Sequence, residues 1–504
     1  MKKEDILALQ NGSDIRGFAL DTEVHKKNLT KETIQRIARG LLQWWSKKEL
    51  KALSETTITI GHDSRLTGPD IKSWLTETFV NSGIKVIDAG MATTPALFMA
   101  TQYEDFSSDI GIMITASHLP MEYNGLKFFT TKGGLEHDDI EDMLTYAMND
   151  DSFEAELKGT VVQKDLVSAY AADLVQNIRQ MIGASEDSKP LENRKIIVDA
   201  GNGAGGFFVE HVLKPLGANT EGSQFLDPDG TFPNHEPNPD NKEAMKSISD
   251  AVLKSKADLG IIFDTDVDRS AIVDKKGQSI NRNNLIGLIG AIVLEDHPGT
   301  TIVTNSPVSD HLISFVESLG GKVDRYISGY RNVINRGIEL NKEGIDCELA
   351  IETSGHAALR ENYFLDDGAY LAAKIIAKEA EMALEGKSVT DLIDSLDQPA
   401  ETEEVRFVIQ ADDYKDIGFA ILDQFAEWLT ETEGFTLLSD NLEGKRSQIS
   451  APYGRGWLLL RMSLHEPKLV LQIENDLEGM IPLVKEKLKE FFYAIEVLDN
   501  SKLN

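Results

Sequence analysis

At 504 residues the chain has room for roughly three or four domains, and 41% hydrophobic with 27% charged residues allows sizeable cores and argues against global disorder. A formal net charge of -32, from 51 basic and 83 acidic residues, excludes a broad footprint on a nucleic-acid backbone. Any basic site must be local, and its arginines and lysines must overcome the overall field to hold an anionic substrate.

From the start to about residue 290, short β-branched runs alternate with amphipathic stretches, and several end in Gly, Asp or Ser: TTITIGHDSR, IKVIDAG, DIGIMITASH, KIIVDAGNGAGG and LGIIFDTDVD. Strand, polar loop and helix in that order predict βαβ units in a mainly parallel sheet covered on both faces. Ligands of such sheets sit outside the carboxyl ends of the strands, where Ser117 and Asp264 are expected. GTTIVTNSPVSD and GKVDRYISGYRN continue the alternation toward CELAIETSGH, and LIGLIGAIVL from Leu285 reads as a buried helix, too short to span a membrane. After about residue 400 the pattern becomes strand, helix, antiparallel hairpin and helix, a smaller α+β domain. The expected fold class is therefore α/β, with three consecutive mixed or parallel-sheet α/β domains over residues 1–160, 161–280 and 281–400 and a C-terminal α+β domain over 401–504. Cys347 is the one cysteine, so no intramolecular disulfide forms, and MKKEDILALQNGSDIRG lacks the apolar core of a signal peptide; both favour a cytoplasmic location.

Asp264, Asp266 and Asp268 stand at every second position of FDTDVDRS, directly before Arg269 and after the strand LGIIF. Carboxylates gathered in a loop at a strand end suit a hard divalent cation, with Mg²⁺ expected; the bland alternative is a solvated Asp-rich turn. Strand followed by D-x-D-x-V also resembles the first motif of haloacid dehalogenase-like phosphatases, with Asp264 as nucleophile, but that motif usually opens its domain and would leave Ser117 unexplained. Ser117, in TASHLP, needs a base or positive surroundings to act as a nucleophile, and His118 and Lys127 are the nearby candidates. Ser117 and Asn124 making only turn hydrogen bonds is the competing reading. Glu352, Ser354 and His356 of IETSGH can exchange hydrogen bonds with vicinal sugar hydroxyls, or form a turn and helix cap. Arg455, Arg461, Ser463 and His465 fall on or near a hairpin where they can hold a phosphate. Arg331 in YISGYRN, Arg16 in SDIRG and Arg65 in GHDSRLTG offer further cations, and Arg65 can equally tie loops together.

In chain order, SDIRG, GHDSRLTGP, TASHLP, NGLK, VDAGNGAGG, PDGTFPNHEPNP, DTDVDR, SGYR, ETSGH, DDG and RMSLHEP resemble the α-D-phosphohexomutase superfamily from end to end, with ETSGH most similar to its phosphoglucomutase/phosphomannomutase branch. The resemblance implies four domains around a central cleft, each giving one loop. It implies that Ser117 carries a phosphoryl group and joins Asp264, Asp266 and Asp268 around Mg²⁺, with His118, Lys127 and Arg16 in the catalytic surroundings. On the same likeness Arg269, Arg331, Glu352, Ser354, His356, Arg461, Ser463 and His465 face the substrate.

The activity so implied is interconversion of hexose 1-phosphate and hexose 6-phosphate, of glucose or mannose, through a phosphoserine enzyme and a hexose 1,6-bisphosphate. Sugar phosphates are the expected partners, with no nucleic acid and no membrane. Phosphoglucosamine mutase is the alternative within the superfamily, since those enzymes share an E-x-S-G-H loop, and a non-catalytic sugar-phosphate regulator is the alternative outside catalysis. Thr265 and Val267 stand where the family has glycines, Leu464 and His465 where it commonly has Asn and Thr, and Arg331 where some relatives have Lys or His.

Overall fold

A computed structural model describes residues 3–48, 51–149, 157–411, 413–439, 441–463 and 466–503. The chain divides into two compact units, Met1–Leu285 with Ser354–Asp391 and Ile286–Thr353 with Leu392–Asn504.

In the first unit an eight-stranded mixed sheet has Thr57–His62 at its centre, paired in parallel with Lys85–Met91 on one side and Ile110–Ile114 on the other. Every residue of Ile110–Ile114 is buried, as expected of a strand covered on both faces. The helix Lys31–Lys48 presents Ile34, Ile37, Leu41, Leu42, Trp44 and Trp45 at helical spacing to the core and packs against His137–Asn149. A second sheet pairs Ile196–Asp199 in parallel with Leu259–Phe263, which then pairs antiparallel with Ser270–Asp274. Its helix Lys242–Ser255 starts at Asn241, whose side chain accepts from the Glu243 and Ala244 amides, a cap worth about 1 kcal/mol.

The expected order of strand, loop and helix fails at the two loops that matter most. After Ile110–Ile114 and after Leu259–Phe263 the chain turns straight back into an antiparallel neighbour, Tyr123–Thr130 and Ser270–Asp274 respectively. A short connection can join only antiparallel strands, whereas a parallel crossover needs a dozen residues or more. Both loops are therefore pinned at each end by a ladder.

The returning segment of this unit contains a short hairpin, Ala357–Leu359 with Leu365–Asp366, and the helix Gly368–Ala383. Asp367 caps that helix by accepting from the Tyr370 amide, and the Tyr170 hydroxyl donates to it at 2.6 Å. Burial still pushes the Asp367 carboxyl up to about 6.

The second unit combines three parallel strands, in the order Lys322–Tyr326, Thr301–Asn305 and Cys347–Ile351, with a five-stranded antiparallel sheet. LIGLIGAIVL lies within the helix Arg282–Asp296 and is buried from residue 285 to 294. The C-terminal sheet runs Glu401–Val408, Lys468–Asn475, Gly456–Met462, Lys445–Ile449 and Phe435–Leu437, with a core built around Phe407, Phe425, Phe491 and Phe492. Arg446 is fully buried beside it: its guanidinium donates to the carbonyls of Ser306 and Val308 and to Asp310, and lies 3.7 Å from the Trp457 ring centroid. Among the described residues no helix is long and apolar enough to cross a membrane.

Candidate functional site

The acidic loop lies in the first unit, and three backbone amides grip it. Thr94 donates to the Asp266 carbonyl at 2.9 Å, Ala204 to Thr265 at 2.8 Å and Gly368 to Val267 at 3.1 Å. Two of these contacts depend on close backbone approach: a Cβ on Gly203 would stand 2.6 Å from the Thr265 carbonyl oxygen, and one on Gly368 would stand 2.5 Å from the Arg269 carbonyl carbon. These are the glycines of AGNGAGG and DDG. Val267 takes φ +68°, a left-handed conformation that a β-branched residue adopts only under strain. The grip on both sides offsets that strain where a glycine would have none.

Ser117 also has a positive φ, +50°, and its hydroxyl is buried beside the acidic loop. Its Oγ donates to Asp264 Oδ2 at 3.0 Å and accepts from the Arg269 guanidinium at 3.3 Å. The loop is held from beneath by Arg65, which is fully buried and donates to four carbonyls: Ser117 (2.6 Å), Leu119, Pro120 (2.8 Å) and Tyr123 (2.9 Å). Of the two roles the sequence left open for Arg65, the structure shows the tying of loops. Asn124 likewise makes a structural bond, donating to Thr67 at 2.9 Å.

Lys127 pairs with Asp268 and, at 3.3 Å, with Asp266, while Arg269 Nε bonds Asp264 at 3.2 Å. Burial, followed by the Arg269 and Arg16 charges, holds His118 well below the usual imidazole range. Its Nδ1 lies 2.7 Å from an Arg269 nitrogen, and a guanidinium only donates, so Nδ1 is the acceptor and the proton sits on Nε2. Lys127 therefore supplies positive charge to the acidic loop beside Ser117 and neutral His118 accepts from Arg269, while the acceptor of the Ser117 hydroxyl proton is Asp264. His356 is also kept neutral, by burial and then by Arg269 and Lys127; its Nδ1 bonds Ser354 Oγ at 2.8 Å and its Nε2 stands 3.9 Å from Asp268 and 3.6 Å from Asp366.

Asp264, Asp266 and Asp268 each place a carboxylate oxygen within 4.8 Å of the others. Asp266 Oδ1 and Asp268 Oδ1 are buried without a hydrogen-bond partner. Burial, then the charges of Asp268 and Asp266, pushes Asp264 well above the ordinary carboxylate range in spite of Arg269. An all-oxygen set with buried, unsatisfied acceptors and an excess of negative charge fits a hard divalent cation.

Asn238 supports this centre, its Oδ1 accepting from Arg269 at 3.3 Å. The loop that carries it is anchored by His235, whose Nε2 lies 3.0 Å from Asp199 while Nδ1 meets the Glu236 carbonyl at 2.8 Å. Burial opposes the His235 charge, but the Asp199 bond and charge outweigh it and raise the pKa above 6.5. A raised folded-state pKa contributes stability that is full below the unfolded value and is lost as pH rises through the folded one. Denaturant unfolding of the protein should therefore show stability falling as pH rises above 6.5, and His235→Gln should flatten that part of the profile; an unchanged slope would contradict the charged pair.

In the second unit Glu352 accepts from the Gly329 amide at 2.7 Å, at the start of the helix Tyr330–Lys342 that carries Arg331. Arg331 donates to Asn335 one turn along, at 3.2 Å. Arg461, the next-to-last residue of the strand Gly456–Met462, has a buried Nε that lacks a hydrogen-bond partner, and the Ser463 amide donates to the Lys468 carbonyl at 2.8 Å. Arg455 is exposed and paired with Asp476. His465 lies outside the described residues. Ser354 and His356 belong to the first unit and Glu352 to the second, so the ETSGH motif straddles the division.

Sequence reasoning missed Thr94, Asn238 and Glu443. Thr94 donates its hydroxyl to Asp266, and Glu443 sits beside Arg461. TTPAL, with Thr before Pro, signalled a helix start, but nothing in it marked the acidic loop as its neighbour.

The chain matches the family described as phosphoglucomutase/phosphomannomutase, with alpha/beta/alpha domain I over residues 8–155, domain II over 168–277 and domain III over 281–399. It is 30% identical over 477 residues to a phosphoglucomutase of Neisseria meningitidis, covering 94% of this chain and 95% of that one. It is 29% identical over 484 residues to a phosphomannomutase/phosphoglucomutase of Pseudomonas aeruginosa, covering 96% and 95%. Its fold is shared with a phosphoglucomutase/phosphomannomutase family protein of Burkholderia thailandensis, with a TM-score of 0.77, 24% identity and 98% of each chain covered. The chain thus belongs to the phosphoglucomutase/phosphomannomutase family of the α-D-phosphohexomutase superfamily, and is a phosphohexomutase, an isomerase.

Proposed function

We propose that the chain interconverts the 1- and 6-phosphates of glucose or mannose, with Ser117 as the residue that carries the phosphoryl group. The observation that carries this reading is the buried Ser117 hydroxyl, 3.0 Å from Asp264 and 3.3 Å from Arg269 at the edge of the acidic cluster. Phosphoserine 117 passes its phosphoryl group to the free hydroxyl of a hexose monophosphate. The phosphorus–Oγ bond breaks, a phosphorus–sugar oxygen bond forms, and in the net step the proton given up by the sugar hydroxyl restores the Ser117 hydroxyl. The resulting 1,6-bisphosphate returns its other phosphoryl group to Ser117, completing the isomerisation.

Phosphoserine and substrate phosphate each carry close to two negative charges. Arg269 and Lys127 lie where they can offset part of this charge, and Arg65 keeps the Ser117 carbonyl fixed while the group moves. Asp264, Asp266 and Asp268 would hold Mg²⁺, which when bound supplies further charge neutralisation at the phosphoryl oxygens. Glu352, Ser354 and His356 are assigned to the sugar hydroxyls, and Arg331, Arg461, Ser463 and His465 to its distal phosphate. The four-domain division at about residues 160, 280 and 400 belongs to the same proposal.

A coupled assay with the 1-phosphates of glucose, mannose and glucosamine, run side by side, tests the reading. Turnover of the glucose or mannose compound is expected; turnover of the glucosamine compound alone would reassign the substrate, and none with any would overturn the reading. Chelation of divalent metal should stop turnover while sugar-phosphate binding, measured by calorimetry, persists within about tenfold, since the cation acts mainly on charge that develops during transfer. A chelated enzyme with an undiminished rate would contradict the role given to the three aspartates.

A further inference from the structure

Glu443 has no place in the chemistry described so far, yet its surroundings are those of an organising group. One of its carboxylate oxygens, Oε2, accepts from three donors of the preceding α/β segment: the Ser306 hydroxyl, the Ser328 hydroxyl at 2.6 Å and the Ser328 amide at 3.1 Å. The other, Oε1, faces Arg461 Nη1 at 3.7 Å, close enough for charge to orient the guanidinium without a hydrogen bond. Both side chains are largely buried, 10% and 16% exposed. The antiparallel register of Lys445 with Leu460 is what brings Glu443 alongside Arg461.

The adjacent amide, that of Gly329, donates to Glu352 at 2.7 Å. Two neighbouring peptide groups, Ser328 and Gly329, are thus held by two carboxylates, one beside Arg461 and one on the residue assigned to the sugar hydroxyls. Three donors fix Oε2, so Glu443 is not free to swing away when an anion arrives. Arg461 Nη1 also donates to the Met462 carbonyl at 3.2 Å, so Glu443 acts on a guanidinium held at that nitrogen from one further side, while the buried Nε has no hydrogen-bond partner.

We infer that Glu443 is a positioning residue for phosphate recognition: it orients Arg461 and ties that arginine to the Ser328–Gly329 turn that holds Glu352. The inference rests on the proposed role of Arg461 as a phosphate donor, and the experiment separates the two. In Glu443→Gln the shape is kept, but an amide NH₂ turned toward Arg461 repels it where the carboxylate attracted it.

Steady-state kinetics with the best hexose 1-phosphate should show KM raised about tenfold in Glu443→Gln, with kcat within about twofold of wild type. The inhibition constant of inorganic phosphate, which has no sugar to read, should rise in parallel. Glu443→Asp, which keeps the charge, should recover part of the loss. Arg461→Gln should raise KM at least as far, and the double variant should be no worse than Arg461→Gln alone, because both changes remove one interaction. If Arg461→Gln leaves KM unchanged, the phosphate reading of that arginine fails. If Arg461→Gln raises KM while Glu443→Gln does not, or lowers kcat alone, the positioning role fails and the reading of Arg461 stands.

Discussion

Replacing Ser117 with alanine should reduce turnover by roughly 10⁶-fold, the scale on which enzymes respond to losing a covalent nucleophile. The substitution removes one oxygen and leaves the rest of the loop anchored, because Arg65 binds backbone carbonyls and the Ser117 amide bonds Thr115 Oγ1 at 2.9 Å. Alanine is no worse than serine for the φ of +50° at this position. A folded variant is therefore expected, and its thermal unfolding should stay close to that of wild type. Asp264 loses a donor in the variant but keeps the Arg269 amide and Nε, each at 3.2 Å. Wild-type turnover in folded Ser117→Ala would remove this residue from the chemistry.

Changing Arg65 should act more broadly. Its guanidinium satisfies the carbonyls of Ser117, Leu119, Pro120 and Tyr123 and stands 3.5 Å from Asp63, with both side chains fully buried. The Phe232 ring lies over it at 5.3 Å. Burial already pushes Asp63 up to about 6 against the pull of Arg65, so without the arginine that carboxyl must stay protonated or remain a buried, uncompensated charge. Arg65→Met should destabilise the protein by roughly 3–5 kcal/mol, the range for removing one partner of a buried pair. Arg65→Lys keeps a charge but has one nitrogen for carbonyls that now bond two, so the loop should shift, and a shift near 1 Å is enough to lower kcat by about 10²-fold. Thermal unfolding and kcat of the folded fraction read the two effects. An Arg65→Lys enzyme with wild-type values of both would show that the clasp does not set the Ser117 geometry.

The placement of Ser117 and Asp264 just past strands was legible in the sequence because apolar runs such as LGIIF and DIGIMI mark strands, and the polar residues after them must lie at strand ends. The C-terminal strands, hairpin and helices around VRFVI and WLLLRM were legible for the same reason. The antiparallel returns were not: SAIVD and NGLKFFT are short and buried, with none of the two-residue Gly turns that announce a hairpin. Nor could a sequence show that Arg65 works through carbonyls, since every residue has one. Val267 shows the opposite case. The sequence exposed the absence of glycine in the acidic loop, and only the structure shows a left-handed backbone kept under strain there by the amides of Thr94, Ala204 and Gly368. Glu443, in NLEGK, has the composition of a solvated turn; its three donors come from residues 306 and 328, far away in the chain.

Passage of the phosphoryl group through the Ser117 oxygen, as proposed above, is open to direct measurement. Peptide mass spectrometry of the protein, before and after brief exposure to excess hexose monophosphate and then to hexose 1,6-bisphosphate, addresses it directly. One phosphate is expected on the peptide bearing Ser117, lost to the monophosphate and restored by the bisphosphate on the timescale of turnover. An active enzyme whose Ser117 stays unmodified throughout, or whose label sits on Asp264 instead, would contradict it.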